Sequence, residues 1–271
     1  MTVAPVQAVR DLIAASGIAV PEARALLAHV LGVPREALIS QPSDPVPAAA
    51  AAQFRNLCQR RLQSQPVAYL LGEREFFGRR FAVDASVLVP RPETEGLVEL
   101  ALELLAGRPA PALIDLGTGS GCIAVTLALE RPDARVWASD ISHAALERAR
   151  GNAAALGARV NFVRADWYSG LAGRFDLIAC NPPYIAPHDP HLAALTAEPR
   201  IALTDERDGT ACLQAVIAGA AGRLYDGGVL LVEHGYDQAD AVRALMQSHG
   251  LHAAQTRADL AGLARISWAK A

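Results

Sequence analysis

The residues of this sequence best suited to chemistry stand where apolar runs end. Phe175–Cys180 reads as a short buried strand, and it enters Asn181-Pro182-Pro183-Tyr184 with no spacer. The Asn181 side-chain oxygen and the Pro182 carbonyl make two acceptors on a stiff backbone, because proline fixes φ and brings no competing N–H. Two acceptors match the two N–H groups of a planar nitrogen, such as a side-chain amide or an exocyclic amine. The lone pair of that nitrogen is delocalised, and holding both N–H groups polarises it. Tyr184 is suited to pack on the flat group. The bland alternative is a rigid turn that only ends a strand.

Asp115-Leu-Gly-Thr-Gly-Ser-Gly121 follows another apolar run and opens a helical pattern. Gly117, Thr118, Gly119, Ser120 and Gly121 allow a tight turn and a close approach of backbone to a ligand. The glycines read GxGxG rather than the GxGxxG of dinucleotide sites, and such a loop alone is also a plain turn. Asp140 ends the next expected strand. A carboxylate there can accept from both hydroxyls of a ribose and disfavours a 2′-phosphate. Ser142 is available to cap the helix that follows. Asp166-Trp167 ends the third, offering an acid for an adenine amino group and an indole for its ring. No Walker Gly-Lys-Ser/Thr is present. An adenosine site without a phosphate grip points to S-adenosylmethionine. Its methyl would pass to the planar nitrogen by in-line displacement, leaving S-adenosylhomocysteine. No metal is expected. His188 and His191 lack a cysteine or carboxylate-rich set around them, and His234 reads as local structure.

The elements that must position these residues alternate from residue 111 onward. Expected strands are Ala112–Leu116, Arg135–Asp140, Arg159–Asp166, Phe175–Cys180, Gly228–Glu233, His252–Arg257 and Ala264–Ala269, with helical patterns in most gaps. That rhythm predicts an α/β fold: a mostly parallel sheet with helices on both faces. The last two strands are close in sequence, which predicts an antiparallel edge. Before them, Val9, Leu12 and Ile13, then Leu26, Leu27, Val30 and Leu31 after Pro21, then Phe54, Leu57, Cys58 and Leu62 form helical stripes. Residues 1–72 are expected to be a small helical bundle. Residues 73–90 are expected to be a strand-pair connector built on Phe76, Phe77, Phe81, Val83 and Val87–Val89, turning near Gly78. Residues 91–271 form the expected catalytic domain, opening with Pro90-Arg-Pro-Glu-Thr-Glu95 and a helix through Leu97, Leu100, Leu104 and Leu105.

The chain has 271 residues, is 52% apolar and carries a formal net charge of -3. The charge disfavours a general nucleic-acid binder. Arg55, Arg60, Arg61, Arg74, Arg79, Arg80 and Arg91 form a basic strip against only Glu73, Glu75 and Asp84 in the same stretch. The strip is either solvated surface or a face for an acidic partner or an RNA backbone. Cys58, Cys122, Cys180 and Cys212 show no CxxC spacing, which fits a reducing compartment. Met1 to Arg10 lacks the pattern of a signal peptide, and no apolar run reaches membrane-spanning length. A cytoplasmic protein with no membrane contact is expected.

Taken together, Asp115–Gly121, Asp140 and Asn181–Tyr184 resemble class I S-adenosylmethionine-dependent methyltransferases acting on planar nitrogen. The chain is similar over nearly its full length to the HemK/PrmC family, the protein-(glutamine-N5) methyltransferases of peptide chain release factors. The likeness is carried also by Gln65-Pro-Val-Ala-Tyr-Leu70, Phe76-Phe77, Pro90–Glu95 and Glu198-Pro199. The resemblance implies a Rossmann-like seven-stranded sheet with an antiparallel edge. It implies cofactor contacts from Gly117–Gly121, Asp140, Trp167 and Asn181, and a glutamine side chain held by Asn181, Pro182, Pro183 and Tyr184. The substrate implied is the Gln of a Gly-Gly-Gln loop in a class 1 release factor, docked by the N-terminal domain and with no direct nucleic-acid requirement. A monomer is expected. Arg91, Glu93 and Thr94 either shape the cofactor pocket or cap the Leu97 helix, with Thr94 as N-cap. Glu198-Pro199 either ends a lid loop or is ordinary surface. The alternatives are a glutamine methyltransferase of a ribosomal protein, an adenine-N6 methyltransferase, and a protein that binds the cofactor without turnover.

Overall fold

The computed structural model describes residues 7–271, so the expectation of no signal peptide in Met1 to Arg10 falls largely outside the described residues. The chain divides into two compact units between Glu73 and Arg74.

The first unit is helical. It holds β1 (Gln7–Ala8), α1 (Val9–Ala14), α2 (Val20–Leu31), α3 (Arg35–Ser40), β2 (Pro45–Val46), α4 (Ala48–Leu62) and α5 (Val67–Leu71). Pro21 occupies the first turn of α2, where its missing N–H costs nothing. Gly32 ends that helix at φ 66°, a left-handed cap suited to glycine. Leu12, Leu26, Leu27 and Phe54 close the core. Leu62 departs from the expected stripe: as the last residue of α4 it is 60% exposed. The two-residue antiparallel pair of β1 with β2 was not expected from sequence.

A hairpin of β3 (Glu73–Phe76) and β4 (Arg79–Ala82) follows. Phe77 and Gly78 turn it, both at positive φ (52° and 69°), as a two-residue hairpin loop requires. The pairing stops at Ala82, so the expected extension to Val87–Val89 is corrected. Asp84 ends it by accepting from the Ser86 backbone N–H and hydroxyl, an Asx turn that redirects the chain. Val87 and Val89 are buried outside the hairpin.

The remainder runs α6 (Glu95–Leu104), β5 (Ala112–Leu116), α7 (Cys122–Glu130), β6 (Arg135–Asp140), α8 (His143–Leu156), β7 (Val160–Arg164), β8 (Phe175–Cys180), α9 (Ala211–Ala220), β9 (Leu224–Glu233), α10 (Ala239–Ser248), β10 (His252–Ala258) and β11 (Ala264–Lys270). The seven sheet strands lie in the order β10-β11-β9-β8-β5-β6-β7. β11 is antiparallel to both neighbours, and the pairs from β9 to β7 are parallel. This is the class I methyltransferase arrangement, with the antiparallel edge where it was expected. Alternation along the strands feeds two cores. Leu113, Leu177, Ala179 and Leu231 face α6 and α7, while Ile114, Ile178, Cys180 and Leu230 face α9 and α10. A strand buried on both faces is apolar at nearly every position, which is why these segments read as near-continuous runs, with Asp115 the buried exception in β5.

The basic strip looks acid-poor only in sequence. Arg61 pairs with Glu22, Arg79 with Glu130 and Arg91 with Glu198, all carboxylates from distant segments.

Candidate active site

Because β8, β5 and β6 are parallel neighbours, their carboxyl ends open at one sheet edge. Leu116 is paired with both Ser139 and Cys180. The loops carrying Gly117, Asp140 and Asn181 therefore emerge side by side. Such an edge is where open α/β sheets bind ligands.

The glycine loop is held from below. The Thr118 N–H donates to Ser139 O at 2.9 Å, and the Gly121 N–H to Thr118 O at 2.8 Å. The Thr118 hydroxyl donates to the buried Asp115 carboxylate at 2.6 Å. Gly117, Gly119 and Gly121 all have positive φ. Their reasons differ. A Cβ on Gly121 would stand 3.0 Å from Ala149 Cβ and 3.3 Å from Ala149 Cα, so α8 packs directly on this backbone. A Cβ on Gly119 would meet nothing within 4 Å, because that residue faces open space. Asn152 is a clamp that the sequence did not disclose. It is buried, donates to Ser120 O at 2.8 Å and Ala82 O at 3.0 Å, and accepts from the Ala82 N–H at 2.8 Å.

Asp140 accepts the Gly119 N–H at 3.0 Å and the Ser142 N–H at 2.8 Å. Ser142 caps α8 through its hydroxyl, as expected. Burial raises the Asp140 carboxyl above its ordinary range, against the pull of those N–H groups. Asp115 is fully enclosed, and burial pushes its carboxyl up to about 7.

Asn181 begins a chain of side chains that runs inward. Its Nδ2 donates to Thr94 Oγ1 at 3.2 Å. The Thr94 hydroxyl donates to Glu233 Oε2 at 2.7 Å, and the Tyr184 hydroxyl donates to Glu233 Oε1 at 3.2 Å. Glu233 is 1% exposed at the end of β9. Burial raises its carboxyl above the ordinary range, opposed by the Thr94 and Tyr184 donations. Thr94 makes no cap bond to α6, which corrects that alternative: its hydroxyl is spent on Glu233.

The backbone after the prolines is pinned as well. The Gln238 amide donates to Tyr184 O at 3.2 Å and to Gly209 O at 3.1 Å. A Cβ on Gly209 would fall 2.7 Å from Tyr184 O, so only glycine fits there. The segment from Ile185 returns at Leu203–Thr204, where the Ile185 N–H donates to Leu203 O at 3.0 Å. Glu198 is buried and accepts from the Val89 N–H at 3.0 Å and from Arg91 at 2.6 Å. It is a structural tie rather than ordinary surface.

These elements enclose a cavity of about 450 Å³. Gly117, Gly119, Asp140, Asp166, Trp167, Asn181 and Pro183 all line it, together with Ser86–Leu88, Pro199–Ala202 and Cys212. Thr118, Ser120 and Gly121 lie beneath it as the buried part of the turn. Pro182 is buried, and the Tyr184 ring packs against the Ile178 side of the sheet. Trp167 holds φ 47°, and its ring stands 3.7 Å from where a Gly117 Cβ would be. His191 bonds Asp189 at its own turn, His234 is held by Ser267 and Gly235, and no cluster able to hold a metal exists among the described residues. Glu233, Asn152 and Gln238 escaped sequence reasoning, as did the bond from Thr94 to Glu233. Glu233 alone carried a signal, as an acid ending an apolar strand at the ligand edge.

Residues 97–255 match the model of the methyltransferase small domain, and residues 6–72 match that of the PrmC N-terminal domain. A release factor glutamine methyltransferase of Bordetella pertussis is 53% identical over 95% of this chain and 97% of its own length. One from Burkholderia pseudomallei is 50% identical over 95% and 94%. The chain belongs to the release factor glutamine methyltransferase family. Relatives at lower identity carry the same name, among them one from Neisseria gonorrhoeae at 49% over 92% of both chains. Solved structures share the family's fold at low identity. A methyltransferase from Pyrococcus furiosus superposes with a TM-score of 0.54 at 18% identity, over 79% of this chain and 97% of its own. A T. thermophilus 16S rRNA methyltransferase in complex with AdoMet and guanosine gives 0.52 at 21%, over 73% and 49%.

Proposed function

We propose that this protein transfers a methyl group from S-adenosylmethionine to the side-chain amide nitrogen of the glutamine in the Gly-Gly-Gln loop of a class 1 release factor. The observation that carries the reading is one shared cavity. Asn181 and Pro183 line the same space as Gly117, Gly119, Asp140 and Trp167. The residues present fit the cofactor. Gly119 opens onto free space, and Asp140 keeps carboxylate lone pairs beyond those used by Gly119 and Ser142.

In this reading the glycine loop admits the cofactor, Asp140 accepts from its ribose, and Asp166 and Trp167 bind the adenine. When bound, the cofactor supplies an electrophilic methyl group. The chain's own task is to hold the acceptor. Asn181 Oδ1 and the Pro182 carbonyl accept the two N–H groups of the glutamine amide and orient its nitrogen for in-line attack. With S-adenosylhomocysteine as the leaving group, the nitrogen's surplus proton would pass to solvent, so the chain itself need supply no strong base. Fixing the reacting groups supplies about 7–11 kcal/mol of barrier reduction in well-oriented systems. The helical first unit recognises the rest of the release factor. The family relatives, each named for a release factor substrate, support this partner over a ribosomal protein or adenine.

The test is peptide mass spectrometry after incubation with S-adenosylmethionine and the host's class 1 release factors, with ribosomal proteins and DNA as competitors. One added methyl on the Gly-Gly-Gln glutamine is expected. Asn181→Ala should abolish it while cofactor binding persists, and Asp140→Ala should weaken binding itself. Methyl on a ribosomal protein or on adenine would overturn the partner.

A further inference from the structure

An asparagine side chain presents an acceptor oxygen and a donor NH2 that are nearly the same size. Only the oxygen can receive an N–H from the acceptor amide. A flipped Asn181 would set donor against donor, so the reaction needs something to choose between the two orientations. Asn181 Nδ2 donates to Thr94 Oγ1 at 3.2 Å, and Thr94 donates its own proton to Glu233 at 2.7 Å. The other oxygen of Glu233 is occupied by the Tyr184 hydroxyl at 3.2 Å. With its proton committed to the carboxylate, Thr94 has only lone pairs left to offer Asn181. Only the NH2 orientation satisfies them.

We propose that Thr94 and Glu233 are positioning residues that set the amide orientation of Asn181, so that Oδ1 and not Nδ2 faces the acceptor nitrogen. The inference rests on the functional reading above and extends it to residues that do not line the cavity. Both are buried, at 2% and 1% exposure. They act through Asn181 and touch neither the cofactor space nor the surface. The network also joins three separate pieces of chain, at the start of α6 and the ends of β8 and β9. Its hydrogen bonds span 87 and 139 residues of sequence, from Thr94 to Asn181 and to Glu233.

The test compares Thr94→Val, which keeps the shape and removes the hydroxyl, with Thr94→Ser, which restores it. With release factor as substrate, Thr94→Val should lower kcat by about 10- to 100-fold, the range for losing one preorganised polar contact at a reacting centre. Its KM for the factor and its Kd for S-adenosylmethionine should stay within about threefold of wild type. Thr94→Ser should recover most of kcat, and Glu233→Leu, which removes both acceptor oxygens, should behave like Thr94→Val. A loss of kcat that Ser does not restore, or none at all in Thr94→Val, would overturn the inference. A second readout needs no substrate. In protein labelled with 15N-asparagine, the Asn181 side-chain NH2 signal, identified by its absence in Asn181→Ala, should shift in Thr94→Val and return in Thr94→Ser. A signal indifferent to Thr94 refutes the positioning role. The expected shifts without methylation by wild type would leave the network standing and sink the release-factor reading instead.

Discussion

Gly119 and Gly121 belong to one turn, yet alanine should injure them in different ways. Both have left-handed φ, 54° and 82°, which costs an L-residue about 1–2 kcal/mol. At Gly121 the new Cβ also meets Ala149 Cβ at 3.0 Å and Ala149 Cα at 3.3 Å. Backbone in α8 must then move, and overpacking of that kind adds about 1–3 kcal/mol. For a domain of this size each kcal/mol lowers Tm by about 2–4 °C. Gly121→Ala should therefore lose about 4–20 °C, and Gly119→Ala only about 2–8 °C. At Gly119 the methyl enters the cavity, so S-adenosylhomocysteine should bind at least about tenfold more weakly, the cost of one poorly placed group in a fitted site. Thermal unfolding can be followed by tryptophan fluorescence, because Trp137, Trp167 and Trp268 are the chain's three tryptophans and all lie in the second unit. Isothermal titration reads the binding. Equal Tm losses, or undiminished binding by Gly119→Ala, would refute the division of labour between the two glycines.

Asn152→Ala removes three hydrogen bonds to backbone, two at half-buried Ala82 and one at buried Ser120, and should cost about 2–4 kcal/mol, seen as a lower midpoint in a urea titration of the same fluorescence. A change under about 1 kcal/mol would mean the clamp is redundant. Stability of the free protein should also fall as pH rises. The Asp115 carboxyl is raised to about 7 by burial, so between its unfolded value near 4 and that point the folded chain binds the extra proton. Its contribution is full below the unfolded value and is lost as pH passes through about 7, by on the order of 2–4 kcal/mol. Asp115→Asn should flatten that slope between about pH 4 and 7, and an unchanged slope would assign it elsewhere.

Much of the site was legible because its parts are local in sequence. A glycine loop, a strand-ending acid and Asn181–Tyr184 each declare themselves within a few residues, and the parallel rhythm brings their strand ends to one edge. The apolar runs fixed the strands closely, although β7 is shorter than expected and β9 begins earlier, at Leu224. What stayed hidden is what supports these parts from afar. Thr94 reads equally as a pocket residue or a helix cap, because Ser, Thr and Asp precede helices so often; its partner lies 139 residues on. Asn152 sits inside α8 like any polar helical residue, and nothing nearby reveals that it holds Ser120 and Ala82. Val87–Val89 carry strand chemistry, but an Asx turn at Asp84 acts first.

The return of the chain at Leu203–Thr204 to meet Ile185 has a consequence for how this protein can diversify. Its ends tied by backbone bonds, the intervening stretch is a closed loop, held again near its return where Glu198 accepts from Val89 and Arg91. Lengthening such a loop costs little, about 0.6 kcal/mol per doubling. The turn from His188 to Ala194 can therefore be rewritten, or exchanged for that of another homologue, while Asn181, Gln238 and Gly209 keep their register. The length of that turn and the register of the strand-end residues then become separately variable.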